Sequence, residues 1–182
     1  SMGGGIAQQL ALDHADRVAT LTLISTTPGG PGLPPMSDEL RARFAQPVAE
    51  PDWGDRQAVV DYIVEDARGY AGSVTVDEEE MRALAGRIVD RTANIESTMT
   101  NHGILEGGEP LRPRLSELTT PTLVLHGTED PLFPYGHAEA LAAEIPGAKL
   151  VPLEGEGHAM PPRPVWDQAV ADVLAHTRAD AM

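Results

Sequence analysis

The sequence predicts an α/β fold in which about three parallel strands are flanked by helices, with a helical insertion after the first strand. The segment 18–24 is apolar and β-branched, as is typical of a buried parallel strand, and further strands are expected at 121–126 and 148–153. Helical patterns lie next to each of them in the chain. Between residues 31 and 115 the alternation of strand and helix stops, and acidic, alanine-rich helical stretches replace it.

Composition limits the kinds of protein this chain can be. Its 182 residues, 41% of them hydrophobic, are enough for one domain with a sizeable core. The formal net charge of −15 would repel a phosphate backbone, so we expect no nucleic-acid partner. No cysteine is present, which excludes disulfides, a thiolate nucleophile and a cysteine-based metal site. No apolar run reaches membrane-spanning length and no signal segment opens the chain, so we expect a cytoplasmic protein without a membrane partner, unless an earlier segment carried a signal.

The first elements are a helix and a strand. Residues 3–15 place Ile6, Leu10 and Ala11 at helical spacing. The segment from Val18 to Ile24 follows as a buried parallel strand. Proline and glycine then dominate up to Gly32, which predicts a loop.

The middle of the chain predicts an inserted helical cap. Its helical stretches are expected at 37–46, 55–70, 77–91 and 93–105. We therefore divide the chain into a first part of the core at 1–30, a cap at 31–115 and a second part of the core at 116–182.

The last third returns to alternating strands and helices. A strand at 121–126, a helix at 135–145 and a strand at 148–153 precede a final helix at 162–176. In that helix the apolar residues recur at helical spacing: Val165, Trp166, Ala169, Val170, Val173 and Leu174.

Three separated motifs carry chemistry. The chain opens with Ser1-Met2-Gly3-Gly4, continues far downstream with His126-Gly127-Thr128-Glu129-Asp130 and ends with Gly155-Glu156-Gly157-His158-Ala159. In this order and spacing they resemble the α/β-hydrolase superfamily from its nucleophile elbow onward. With Ala11-Leu12-Asp13-His14 and Pro121-Thr122-Leu123-Val124, they are similar to the capped bacterial esterases, the subgroup that includes aclacinomycin methylesterase.

The resemblance implies a carboxylic ester hydrolase with a Ser-His-Asp triad. Ser1 would attack the carbonyl, His158 would transfer the proton and Asp130 would orient His158. The backbone N–H of Met2 would be one oxyanion donor, and His102, in the cap, is a candidate for lining the substrate cleft. The implied partner is a small-molecule ester, with no cofactor and no metal.

The chemistry needs these residue types in this context. A serine hydroxyl is a weak nucleophile unless a base removes its proton, and small residues after it let the elbow turn tightly. The separation of 28 positions from Asp130 to His158 accommodates one helix and one strand, as the fold requires. Glu129 is the neighbouring alternative to Asp130 as the acid, although the superfamily carries the acid at the position before Pro131.

Other interpretations of these residues stay open. A Ser-Met start is also typical of a residue left by cloning, Asp130 could simply cap the helix near 135, and His158 could be an exposed loop residue. A non-catalytic α/β module, an N-terminal-nucleophile hydrolase using the Ser1 amine, and a lactonase or cofactor-free haloperoxidase are the alternative functions. His126 is expected to be structural, and His14, His137 and His176 to be solvated.

The superfamily resemblance also implies strands before the elbow, which this sequence lacks. With them would go the loop that supplies the second oxyanion donor, so we expect impaired activity from this chain. The strand at 18–24 would present an apolar edge, which predicts a homodimer through that edge.

Overall fold

The computed structural model describes residues 1–46, 48–104 and 108–178, and within them the sheet has three parallel strands. These are β1 (Leu21–Ile24), β2 (Thr122–Gly127) and β3 (Lys149–Leu153), in the spatial order β1-β2-β3. Every residue of the central strand β2 is buried, because strands pair on both of its edges and helices cover its faces.

Seven α-helices accompany the sheet in the described residues. They are α1 (Met2–Asp13), α2 (Asp38–Phe44), α3 (Arg56–Arg68), α4 (Glu78–Arg91), α5 (Ile95–Thr100), α6 (Gly136–Glu144) and α7 (Trp166–Arg178).

The helices form layers on the two faces of the sheet. On one face, Ala11 of α1 and Leu141 of α6 pack in a core cluster with Leu23 and Val124. On the other face, Ala169 of α7 belongs to a second cluster, which contains Leu123, Leu125, Val151 and Leu153. Alternate residues of β2 thus enter opposite clusters, as the period of a strand requires.

Helices α2 to α5 lie between β1 and β2 in the sequence. Helices α3 and α4 pack together through a small cluster built around Val60, Val64 and Ala85. Both begin at an aspartate, Asp55 and Asp77, whose side chain accepts two hydrogen bonds from the first turn. The acidic, alanine-rich sequence therefore forms capped helices in this insertion.

The prediction of about three parallel strands with flanking helices is confirmed, with differences at the ends of elements. The predicted start of the first strand is three residues too early: residues 15–17 form a 3₁₀ helix, and β1 begins at Leu21 and not at Val18. The stretch 93–105 divides into α5 and a 3₁₀ helix at Asn101–Ile104, and residue 105 lies outside the described residues. None of the helices in the described ranges is long and apolar enough to cross a membrane.

Candidate active site

The candidate site lies beyond the carboxyl ends of the strands. Ser25 directly follows β1, Asp130 lies three residues beyond β2, and His158 lies five residues beyond β3. Since parallel strands end at the same edge of a sheet, loops from separate parts of the sequence meet here.

Asp130 and His158 form a buried hydrogen-bonded pair. The Nδ1 atom of His158 lies 2.8 Å from Oδ2 of Asp130, and the Asp130 side chain is fully buried. The other carboxylate oxygen accepts the backbone N–H groups of Leu132 and Phe133 at 2.9 and 2.8 Å. Because a carboxylate only accepts, Nδ1 carries the proton, which leaves Nε2 of His158 as the acceptor.

The electrostatics of Asp130 favour its charged form. Burial by itself would raise the pKa of Asp130, but hydrogen bonds from His126 and His158, and from the backbone at Phe133, outweigh it and hold the pKa well below its usual range. An ionised carboxylate at this position stabilises a positive charge on the neighbouring imidazole.

His126 is fully buried behind this pair. Its Nε2 atom lies 2.8 Å from the carbonyl oxygen of Phe133 and 3.3 Å from Oδ2 of Asp130, whereas its Nδ1 atom has no hydrogen-bond partner in the described residues. These contacts agree with the structural role that the sequence predicts for His126.

The His158 imidazole is held by backbone and by aromatic rings. Its backbone N–H donates to the carbonyl oxygen of Tyr70 at 2.8 Å. The rings of Tyr70 and Phe133 lie with their centroids 5.9 and 5.3 Å from the imidazole, and only 11% of the His158 side chain is exposed. Few orientations are therefore open to the ring.

Ser1 lies at the same edge of the sheet. Its amine donates to the carbonyl oxygen of Ile24 at 2.9 Å, and its carbonyl oxygen accepts the Thr26 hydroxyl at 2.8 Å. The next residue after Ile24, Ser25, donates its hydroxyl to the carbonyl oxygen of Ala159 at 3.1 Å. Among the described residues no hydrogen bond joins the Ser1 hydroxyl to His158, so the structure brings Asp130 and His158 into contact but not Ser1.

The start of α1 carries the predicted oxyanion donor. Met2 is the first residue of α1, where backbone N–H groups have no partner within the helix. Of the three glycines that follow, only Gly4 lies where a side chain would not fit. A Cβ at Gly4 would lie 2.5 Å from the Thr26 side chain, whereas a Cβ at Gly3 or Gly5 would meet nothing within 4 Å.

His102 lies away from the pair. It is exposed, in the 3₁₀ helix at Asn101–Ile104, and within the described part of the chain it makes no hydrogen bond to Ser1, Asp130 or His158. Its predicted place at the substrate cleft therefore stays a prediction.

Sequence reasoning missed two buried polar residues near the site. His137, predicted to be solvated, is 7% exposed; its Nδ1 lies 2.8 Å from the Thr27 hydroxyl and its Nε2 lies 2.8 Å from the carbonyl oxygen of Pro34. Ser25 is 3% exposed and adopts φ = 44°, which non-glycine residues rarely adopt outside functional or tightly packed sites. A strand-end serine carries no signal of this in the sequence.

The three-stranded parallel sheet and its helical layers match the α/β-hydrolase fold. The family model for the alpha/beta hydrolase fold matches residues 1–161, and the chain belongs to this family. Within the described residues no group of three or more His, Cys, Asp or Glu side chains is placed to hold a metal ion.

Two curated relatives are methyl-ester hydrolases. Rhodomycin D methylesterase DnrP of Streptomyces peucetius is 32% identical over 98% of this chain and 65% of its own length. The pimeloyl-[acyl-carrier protein] methyl ester esterase of Nitrosomonas europaea is 27% identical over 87% of this chain and 62% of its own length. The chain therefore spans somewhat under two thirds of the length of these relatives.

Solved structures share the fold. The esterase RhEst1 from Rhodococcus sp. ECU1013 superimposes with a TM-score of 0.66 at 17% identity, over 96% of this chain and 62% of that one. Est816, described as an N-acyl homoserine lactone degrading enzyme, superimposes with a TM-score of 0.58 at 26% identity, over 96% of this chain and 64% of its own.

Proposed function

We propose that this chain carries the catalytic residues of a carboxylic ester hydrolase, with Ser1 as nucleophile, His158 as general base and Asp130 as the orienting acid. The observation that carries the proposal is the buried hydrogen bond between Asp130 and His158, which leaves Nε2 of His158 free to accept a proton.

The reaction has two halves. The Ser1 oxygen attacks the ester carbonyl carbon while its proton moves to Nε2 of His158, and the oxyanion that forms is stabilised by the backbone N–H of Met2. The alcohol leaves with the proton from His158. Water then gives a proton to Nε2 of His158 and attacks the acyl carbon. The bond from that carbon to the Ser1 oxygen breaks, the carboxylic acid leaves, and His158 returns the proton to the Ser1 oxygen.

The names of the relatives support an ester as the substrate class. DnrP and the pimeloyl-[acyl-carrier protein] esterase are both described as methyl-ester hydrolases. Small methyl esters are therefore the first substrates to test. His102, in the inserted helices that form the proposed cap, is the residue we propose to contact the substrate from that side.

A fluorophosphonate probe tests the proposed nucleophile. Intact mass should show a single adduct, and peptide mapping should place it on Ser1. The adduct should be lost in His158→Ala. It should be kept in the matched variant His14→Ala, because His14 is exposed and makes no contact with the site. A folded protein without an adduct would favour a non-catalytic α/β module. An adduct that survives in His158→Ala would favour a nucleophile activated by the Ser1 amine.

A lactone is the second candidate substrate. Est816, the lactone-degrading enzyme, shares the fold at 26% identity, and a lactone is a cyclic ester that the same residues would open. Hydrolysis of an N-acyl homoserine lactone with no hydrolysis of methyl esters would favour this alternative.

We also propose a homodimer through the outer edge of β1. Exposed apolar side chains lie on the two helices that flank the sheet: Met2, Ile6 and Leu10 on α1, and Trp166, Val170 and Leu174 on α7. Light scattering after size exclusion should give twice the 19.3 kDa chain mass, and Val170→Lys should lower it. A 19.3 kDa mass at every concentration would contradict the dimer.

A further inference from the structure

The residue before the proposed acid makes a contact that the triad does not use. The Glu129 carboxylate accepts the Ser73 backbone N–H at 2.7 Å and the Ser73 hydroxyl at 2.9 Å. We propose that Glu129 is a positioning residue, which orients His158 through the segment 70–74, here called the strap. This inference rests on the proposed function.

The strap is bonded to both sides of the loop that carries His158. The carbonyl oxygen of Tyr70 accepts the N–H of His158 at 2.8 Å, and the N–H of Val74 donates to the carbonyl oxygen of Gly155 at 3.0 Å. The strap connects α3 and α4, so the orientation of His158 depends on a segment of the helical insertion as well as on the sheet.

Glu129 connects the Asp130 loop to both the strap and the His158 loop. Its own backbone N–H donates to the carbonyl oxygen of Glu156 at 3.0 Å, and its side chain holds Ser73. The loop of Asp130, the strap and the loop of His158 are therefore each bonded to the other two. If the link between Glu129 and Ser73 is removed, the strap loses its attachment to the loop that positions Asp130.

The backbones of the strap and of the His158 loop are in direct contact. A Cβ at Gly157 would lie 2.1 Å from the carbonyl oxygen of Tyr70, and a Cβ at Gly72 would lie 2.2 Å from the carbonyl oxygen of Gly155. Because close-packed groups transmit displacements, a shift of the strap moves the loop next to it. The distance between His158 and Asp130 then changes with the strap.

The hydrogen bonds between Glu129 and Ser73 are accessible to solvent. Their removal should therefore alter the position of the strap more than the stability of the fold. Ser73 and Glu129 are both exposed. Exposed hydrogen bonds contribute little to the free energy of folding, since water replaces them when they break. A carboxylate that accepts two hydrogen bonds nevertheless fixes the direction of its partner.

Two substitutions at the link and two matched controls test the proposal. Glu129→Gln replaces one carboxylate oxygen by an N–H donor that cannot accept from Ser73, and Ser73→Ala removes the hydroxyl. The controls are Glu139→Gln and Ser116→Ala, at exposed residues without a hydrogen bond from their side chains among the described residues.

The readouts are the rate of fluorophosphonate labelling and the ¹⁵N chemical shifts of the His158 ring, which report which nitrogen carries the proton. We expect each link variant to lower the labelling rate about 10- to 100-fold, the range that a small misplacement of a catalytic group costs. We also expect mixed protonation of the two ring nitrogens and a midpoint of thermal unfolding close to that of the controls. The labelling rate of the double variant should be no lower than that of the slower single variant, because both substitutions remove the same interaction.

The ¹⁵N chemical shifts of the His158 imidazole test the positioning role independently of the proposed function. If the unsubstituted protein does not react with the probe, the proposed function fails, and the ¹⁵N shifts of His158 still decide whether the link orients the ring. Shifts that are identical in the link variants and the controls would overturn the positioning role. So would a loss of labelling that follows the loss of thermal stability.

Discussion

Nδ1 of His158 and Oδ2 of Asp130 lie 2.8 Å apart although the two residues are 28 positions apart in the chain. The separation contains α6 and β3, which return the chain to the carboxyl edge of the sheet. The same carboxylate lies 3.3 Å from Nε2 of His126, and its second oxygen is used by the backbone at Leu132 and Phe133. Both carboxylate oxygens of Asp130 therefore have partners, which fixes its position beside His158.

Asp130→Asn should abolish labelling at Ser1 while the protein still folds. The amide can present an N–H to Nδ1 of His158, which places the ring proton on Nε2, and that tautomer cannot act as a base. An Asp→Asn change of this kind costs on the order of 10⁴-fold in kcat. The labelling rate measures the loss, with Asp16→Asn as the exposed control. Labelling at the unsubstituted rate would show that Asp130 is not the acid.

Glu156→Gln should change how stability depends on pH. Burial raises the pKa of Glu156 from its usual 4.5 to about 7, and one of its carboxyl oxygens has no hydrogen-bond partner in the described residues. The unfolded chain therefore binds fewer protons than the folded protein between these pH values, and the free energy of unfolding falls as the pH rises through them.

Urea unfolding at pH 5 and pH 8 measures this effect. A glutamine at 156 cannot ionise, so the variant should be more stable relative to the unsubstituted protein at pH 8 than at pH 5. Glu154→Gln, at an exposed residue of the same loop, should show no such change. Parallel stabilities at the two pH values would mean that Glu156 is solvated in the folded protein.

The elements of the fold were predictable because their signals are local. β2 contains the apolar run Leu123–Leu125, which is typical of a buried parallel strand, and its predicted limits differ from the observed ones by one residue. The start of β1 could not be predicted as closely. Val18 continues the apolar pattern of the strand, but it directly follows a 3₁₀ helix and lies outside the sheet. Hydrophobicity does not record where backbone pairing begins.

The proximity of Asp130 and His158 could be predicted from the order of the motifs, but the residues that surround them could not. Asp130 and His158 lie in motifs with characteristic neighbours. His137 has the same helical context as a solvated histidine, and only the tertiary arrangement places Thr27 and the Pro34 carbonyl oxygen against its ring. Contacts between residues more than 100 positions apart leave no pattern in a single sequence.

Gly157→Ala and Gly5→Ala should act in opposite directions. A Cβ at Gly157 would lie 2.1 Å from a backbone oxygen, so the loop must shift, at a cost of about 1–3 kcal/mol. A Cβ at Gly5 would meet nothing within 4 Å in α1, and alanine should stabilise the helix by about 1 kcal/mol. Urea denaturation measures both changes, and equal stabilities of the two variants would contradict the packing described for the His158 loop.

His137→Leu should destabilise the protein more at neutral pH than in mild acid. A carbonyl oxygen only accepts, so Nε2 donates to Pro34, and Nδ1 then accepts the Thr27 hydroxyl. This requires the neutral ring, and burial lowers the pKa of His137. Leucine leaves the hydroxyl and the carbonyl oxygen without their partner, which costs about 1–3 kcal/mol.

The pH dependence separates this loss of hydrogen bonds from a simple packing defect. Below about pH 6.5 the unfolded chain takes up a proton on His137 that the folded protein resists, so the advantage of histidine over leucine shrinks as the pH falls. The free energies of unfolding of both proteins at pH 5 and pH 7.5 measure the difference, with His14→Leu as the exposed control. A cost that is the same at both pH values would mean that His137 is protonated equally in the folded and the unfolded protein.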